Sequence, residues 1–250
     1  MSLKELLKTN GFVVIPGCFD PLSAKIIERC GFQAAYLGGW AVGAHLTVTE
    51  PMTTLTDMVD IARKIKVNMK LPLMMDANAA FGDLPAVERT IREIELAGVA
   101  GIHLEDQVVP KRVHYHKGVV DLIPEHEMIQ KLEKALSVRK NDDFIIIGRT
   151  DAGRNKDEPF DNAIKRANMY AATGVDMIMI FPRNMTEVQR APQEIDAPLV
   201  FVASEGLGRP IPTPEELKAF GYKMVIYPLT PILAAYKSIR DIYIHLKEFG

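Results

Sequence analysis

Eight short apolar runs recur along the chain: Phe12 to Pro16, Ala34 to Leu37, Leu73 to Asp76, Gly101 to Glu105, Phe144 to Arg149, Met177 to Phe181, Leu199 to Val202 and Met224 to Tyr227. Runs this short, apolar at successive positions and bounded by glycine or polar residues, suit strands of a parallel sheet covered on both faces. The segments between them have helical spacing. Several carry start signals: Asp20 before Pro21, Thr53 or Thr54 before Leu55 to Lys66, and Thr213 before Pro214-Glu215-Glu216. Gly31, Gly98, Gly174 and Gly221 each stand where a helix should stop. The segment Ile232 to Phe249 is apolar at Ile232, Leu233, Tyr236, Ile239, Ile242, Tyr243 and Leu246, one broad face of a helix. Eight strands alternating with helices predict a parallel sheet closed into a (β/α)8 TIM barrel, a single domain over residues 1–250. A doubly wound open sheet is the runner-up. No G-x-G-x-x-G follows the first strand, so a nucleotide site has little support.

A barrel of this kind places its chemistry at the C-terminal ends of its strands, so the residues that close each run matter most. They are Gly38-Gly39-Trp40, Asp76-Ala77-Asn78, Glu105-Asp106, Arg149-Thr150-Asp151, Arg183-Asn184 and Ser204-Glu205. Structural charges would be spread over both ends; these gather at one rim. Glu105 and Asp106 are followed by a loop with Lys111, Arg112, His114, Tyr115 and His116, cations and imidazoles able to grip an acidic substrate or move protons.

Composition narrows the field without changing this picture. The chain has 250 residues, is 48% hydrophobic and 25% charged, and carries a net charge of -2. No basic stripe suggests nucleic acid and nothing points to a membrane surface. The start, MSLKELLKTNGF, is amphipathic and lacks the apolar centre of a signal peptide, so a cytoplasmic protein is expected. Cys18 and Cys30, with no C-x-x-C, make neither a disulfide framework nor a zinc site, and both suit small apolar positions.

Asp76 and Glu105 each stand where an apolar strand meets the rim. Neighbouring strands lie about 4.8 Å apart, so both carboxylates can reach one cation, and hard oxygen ligands suit Mg2+ or Mn2+. Capping of the following helices is the alternative for these acids. Arg149 ends a buried run, where a guanidinium calls for an anion: a substrate carboxylate, or Asp151 or Glu105 as a structural ion pair. Gly38 and Gly39 would let backbone N–H groups approach a ligand. His103 reads as a satisfied core histidine, His45 as a loop residue able to line the rim, and His126 and His245 as helix-surface residues. No run ends in lysine, against a Schiff-base aldolase, and no G-x-S-x-G elbow is present. Metal-assisted chemistry on a small anion is what remains.

Taken together, Y-L-G-G at Tyr36 to Gly39, T-T-L at Thr53 to Leu55, D-A-N at Asp76 to Asn78, G-I-H-L-E-D-Q with K-R following, G-R-T-D-A at Gly148 to Ala152, F-P at Phe181-Pro182 and Y-P-L at Tyr227 to Leu229 resemble the isocitrate lyase and phosphoenolpyruvate mutase superfamily, nearest its 2-methylisocitrate lyase branch. The resemblance implies a (β/α)8 barrel, Mg2+ (or Mn2+), and a 2-oxo acid or its enolate at the rim. By it, Asp76 would bind the metal with Asn78 beside it, Glu105 would hold metal-bound water, Arg149 would grip the substrate carboxylate, and Gly38 and Gly39 would hold its other end. Tyr36, Arg183 and Ser204 join the expected substrate contacts, and Lys111, His114 and His116 the expected catalytic groups with Arg149. The lyases of the family carry K-[KR]-C-G-H, whereas this chain reads K-R-V-H-Y-H, with Val113 in the cysteine position. D-x-D is D-x-N here, the serine before the double glycine region is Gly38, and the glutamate after Phe181-Pro182 is Arg183.

The activity so implied is Mg-dependent cleavage of a C–C bond in a small 2-oxo or 2-hydroxy di- or tricarboxylate through an enolate. P–C bond chemistry on a phosphonopyruvate-like acid and a weak carboxylate-binding member are the alternatives. The helix at 232–249 resembles one exchanged between subunits, so a homo-oligomer, dimer or tetramer, is expected; the alternative is packing on its own barrel.

Overall fold

The computed structural model describes residues 1–112, 119–205 and 208–250. Eight parallel strands close a barrel in chain order: β1 (Val13–Cys18), β2 (Ala35–Leu37), β3 (Leu73–Asp76), β4 (Gly101–Glu105), β5 (Ile145–Arg149), β6 (Met177–Met179), β7 (Leu199–Val202) and β8 (Met224–Tyr227). Closure is made by β8 on β1, in register from Val13 opposite Met224 to Pro16 opposite Tyr227. All eight expected runs are strands, and an open sheet is excluded. Their ends move where the ladder decides. The first strand runs on to Cys18 because Gly17 and Cys18 pair with Tyr36 and Leu37, and the sixth stops at Met179, opposite Val200, where its ladder ends.

The helices are α1 (Leu3–Asn10), α2 (Pro21–Arg29), α3 (Gly39–Leu46), α4 (Leu55–Asn68), α5 (Leu84–Leu96), α6 (Glu125–Val138), α7 (Phe160–Ala171), α8 (Met185–Glu194), α9 (Pro214–Phe220) and α10 (Thr230–Phe249). The start signals act as expected: Asp20, Thr54 and Thr213 each accept from the amide three residues on, supplying partners that a helix N-terminus lacks. His45, expected in a loop, lies instead in the last turn of α3, exposed, its ring 5.8 Å from Phe19. Among the described residues no helix is long and apolar enough to cross a membrane.

Strand alternation divides the apolar residues into two cores. Leu73, Met75, Ile102, Leu104, Ile146, Ile178 and Val225 point outward to the helices. Val13, Ile15, Met74, Ile145, Met177 and Met224 fill the barrel, and Leu3 and Leu6 of α1 plug its floor. The last helix behaves differently: Ile232 is its only buried residue, while Tyr236, Ile239, Tyr243 and Phe249 stay exposed. It meets its own barrel near Ile232, and the face from Tyr236 onward is left uncovered.

Candidate active site

The alternation that fills the barrel interior also aims its charges. Two residues above Met74 on the same strand face comes Asp76; two above His103 comes Glu105; two above Ile147 comes Arg149. Register sets them side by side, Asp76 opposite His103 and Glu105 opposite Arg149. Glu105 and Asp106 therefore part company. Glu105 faces the barrel, while the Asp106 carboxylate accepts from the Thr150 hydroxyl at 2.7 Å, the Asp151 amide at 2.9 Å and the Tyr170 hydroxyl at 2.9 Å, with Arg166 at 3.3 Å. Asp106 ties strand ends to α7 and does not face the cavity.

The remaining charges form one buried network. Arg149 donates through Nε and Nη2 to both Asp151 oxygens at 2.7 and 2.9 Å, and its Nη1 lies 3.0 Å from Glu105 Oε2. The structural ion pair is thus present, with Asp151 and Glu105 together. Lys111 Nζ bridges Glu50 at 2.5 Å and Glu105 at 2.8 Å. Asp76 accepts from the Asn78 amide at 2.8 Å and the Gly39 amide at 3.3 Å. Burial would raise its pKa, but His103, Lys111 and Arg149 around it lower it to about 2. Burial pushes Glu105 up to about 7 against the pull of Arg149 and Lys111. His103 is not the satisfied core histidine expected: Nε2 meets the Tyr36 hydroxyl at 2.8 Å, but Nδ1 has no hydrogen-bond partner and stands 3.7 Å from Asp76. Burial first of all depresses it to about 4, so the ring is neutral near pH 7.

Above the network opens a cavity of about 110 Å3 lined by Tyr36, Gly38, Gly39, Asp76, Arg149 and Ser204, all anticipated from the sequence. Glu50, Arg154, Phe181 and Arg209 line it too and were missed. Glu50, Arg154 and Arg209 lie on the same rim, but further into the loops after strands two, five and seven, where a rule read at the last strand residue loses them; Phe181 closes the sixth apolar run and was passed over because it carries no charge. Two anticipated residues stand elsewhere. Arg183 folds onto Glu187 (Nη2 to Oε1 2.8 Å) and donates to the Glu158 carbonyl at 2.9 Å, so it braces the loop before α7 instead of meeting substrate. Asn78, at φ 53°, accepts from the Ala79 amide at 2.9 Å and borders a neighbouring cleft with Thr54 and Lys111. His114 and His116 lie outside the described residues.

The donor set fits a divalent cation. Asp76 offers a hard carboxylate to the cavity, and both Glu105 oxygens are buried with no hydrogen-bond partner, facing only the ammonium and guanidinium charges. Among the described residues no three acid, histidine or cysteine side chains are grouped as a metal cage. The N-terminus of α3 adds backbone donors. The fit at Gly39 is tight, since a Cβ there would come 3.2 Å from Asp76 and 3.4 Å from Glu50.

A closed β/α barrel whose buried acids and arginine converge on a cavity at the C-terminal rim is the architecture of an enzyme. The chain belongs to the phosphoenolpyruvate phosphomutase family, which matches residues 3–247. It is 38% identical to the 2,3-dimethylmalate lyase of Eubacterium barkeri over 250 residues, 99% of this chain and 86% of that protein. It is 34% identical to the 2-methylisocitrate lyase of Aeropyrum pernix, over all of this chain and 80% of that protein. Among solved structures, oxaloacetate acetylhydrolase bound to 3,3-difluorooxalacetate superimposes with a TM-score of 0.92 at 29% identity, covering 100% of this chain and 86% of that one.

Proposed function

We propose that this chain is a divalent-metal-dependent carbon–carbon lyase that cleaves a small 2-oxo or 2-hydroxy dicarboxylate through an enolate. The observation that carries this is the meeting of Asp76, the Gly39 amide and Arg149 at one cavity. The relatives support it, being named for lyase action on dimethylmalate and methylisocitrate. Asp76 would hold Mg2+ or Mn2+, with Glu105 and Glu50 behind it as acceptors for the ion's waters. Bound there, the ion supplies Lewis-acid stabilisation of charge developing at the substrate's C2 oxygen.

The protein groups do the rest. Arg149 is held rigid by Asp151 and Glu105, so its position against a substrate carboxylate is set before binding. The α3 amides carry partial positive charge toward the same carboxylate. Tyr36 is held protonated by burial and is linked to neutral His103, so neither adds charge beside Asp76. Val113 has no proton to give. Decarboxylation of oxaloacetate therefore fits the chain better than a cleavage whose leaving carbon needs an acid: CO2 departs without protonation, and the pyruvate enolate then takes one proton. A lyase step with an acid would draw on His114 or His116.

The test is pyruvate release, with Mg2+, from oxaloacetate, 2-methylisocitrate, 2,3-dimethylmalate and phosphonopyruvate. Release from a carbon substrate is expected; release from phosphonopyruvate alone would shift the reading to P–C chemistry. Release from none, with oxalate still raising the melting temperature, would make the chain a carboxylate-binding protein.

The same reading includes assembly. The exposed apolar face of α10 carries Tyr236, Ile239, Tyr243 and Phe249, and stripes of this length are uncommon on monomers. Laid on a second copy, it gives a dimer or tetramer. Light scattering should report one, and deletion from Ile232 onward should leave insoluble protein; a stable monomer at micromolar concentration overturns the assembly. We infer a cytoplasmic location, with which the free thiols Cys18 and Cys30 agree.

A further inference from the structure

Phe181 forms one wall of the cavity, and three guanidinium groups stand over its ring: Arg149 at 4.8 Å, Arg209 at 5.0 Å and Arg154 at 5.6 Å from the centroid. Two of them are answered by acids. Arg149 is held by Asp151 and Glu105, and Arg154 reaches Asp151 at 3.4 Å. Arg209 makes no hydrogen bond or ion pair among the described residues; it has only the ring face and the cavity. Burial, and then repulsion from Arg154 and Arg149, lowers its pKa to about 10, so it keeps its proton near pH 7 under electrostatic stress.

A half-buried cation set beside two others is unfavourable until an anion arrives. Around the cavity and its floor, the acids Glu50, Asp76, Glu105 and Asp151 stand among Lys111, Arg149, Arg154 and Arg209, so a bound divalent ion would add positive charge for an anionic substrate to neutralise. Arg149 and Arg209 both lie about 5 Å from one ring centroid, so their guanidinium carbons are at most about 10 Å apart. The end carbons of an extended four-carbon diacid lie ~4 Å apart, and a guanidinium carbon sits ~4 Å from the carboxylate carbon it pairs with. One such diacid can therefore touch both groups.

We propose that Arg209 binds the distal carboxylate of the substrate, the one away from Asp76 and Gly39, and thereby makes the site selective for dicarboxylates. This rests on the lyase reading above. A planar fork on an aromatic face is preorganised for bidentate pairing with a carboxylate. The loop after β7, which carries Arg209, would then discriminate substrates while the strand ends hold the reacting carbons.

Calorimetry with Mg2+ and two probes separates the possibilities. Oxalate fills only the half of the site beside Asp76, and 3,3-difluorooxaloacetate carries the distal carboxylate as well. In Arg209→Met the Kd for the longer probe should rise roughly tenfold to 100-fold, and that for oxalate should stay within about twofold, as no contact to that half is lost. Arg209→Lys keeps charge without the fork and should fall between. Should Arg209→Met fail to fold by circular dichroism, Arg209→Lys carries the test, with at least a threefold loss for the longer probe expected. Equal change for both probes, no change for the longer one, or a wild-type protein that binds oxalate alone would overturn the role of Arg209. A wild-type protein that binds neither probe would overturn the lyase reading itself.

Discussion

The floor and the rim of the barrel are built on the same strand pattern and held by opposite physics. At the floor, Met74, Ile15 and Met224 are fully buried against Leu3 of α1, and burying each large apolar side chain contributes about 1.5–3 kcal/mol. One inward step higher, Asp76, Glu105 and Arg149 are buried too, with charges. A buried ion pair gains little over an apolar pair of the same shape, and breaking it by removing one partner is strongly destabilising. The lower layers therefore stabilise the fold, and the upper layer is maintained at a cost for what its charges do. Lys111, spanning Glu50 and Glu105, keeps that layer neutral enough to stay closed.

The sharpest way to break this contrast is to remove one group from each layer. Asp76→Ala deletes the carboxylate that faces the cavity. Turnover should fall by at least about 100-fold, as it should with EDTA for the intact protein, while far-UV circular dichroism stays native. Full rate in either preparation would remove the metal from the reaction. Met74→Ala, directly below on β3, should do the reverse. A cavity there costs about 2–5 kcal/mol, or roughly 5–15 °C of melting temperature in a chain of this size, with kcat per folded molecule within a few-fold of wild type. If Met74→Ala abolishes turnover while the melting temperature holds, floor and rim are not separable.

What could be read in advance follows the same division. The eight strands were visible because β3 (Leu73–Asp76) and β4 (Gly101–Glu105) each place apolar residues on both faces, the pattern being broken in β3 only by its last residue and in β4 by His103 as well. Asp76, Glu105 and Arg149 were legible for that reason. Glu50 and Arg209 were not, because each stands well beyond a strand end on a loop whose path is set by tertiary packing. Asp106 stands apart for a reason of phase: adjacent strand-end residues point to opposite sides, so it and Glu105 do not share one cavity. Arg183 misled because a charge at the rim can brace a loop as readily as bind substrate, and only its Glu187 partner, four residues on, tells them apart.

The smallest expected effect tests the junction between the two regimes. Gly39 opens α3 beside the carboxylates, and its added Cβ would stand 3.2 Å from Asp76 Oδ2 and 3.4 Å from Glu50 Oε1. Distances of that order are tight, not forbidden, so Gly39→Ala should fold, with the acids displaced by a few tenths of an ångström. Alanine is also the better helix former by roughly 1 kcal/mol, so the melting temperature should hold or rise by a few degrees. The Asp76 carboxylate, pressed away from the amide that now holds it, should bind Mg2+ less well, and kcat/KM should drop by about tenfold at limiting metal and recover in part at saturating metal. Stability and activity would then move in opposite directions from one methyl group. A variant that loses melting temperature along with activity would show that Gly39 serves packing, and one that loses neither would show that Asp76 has slack the structure does not suggest.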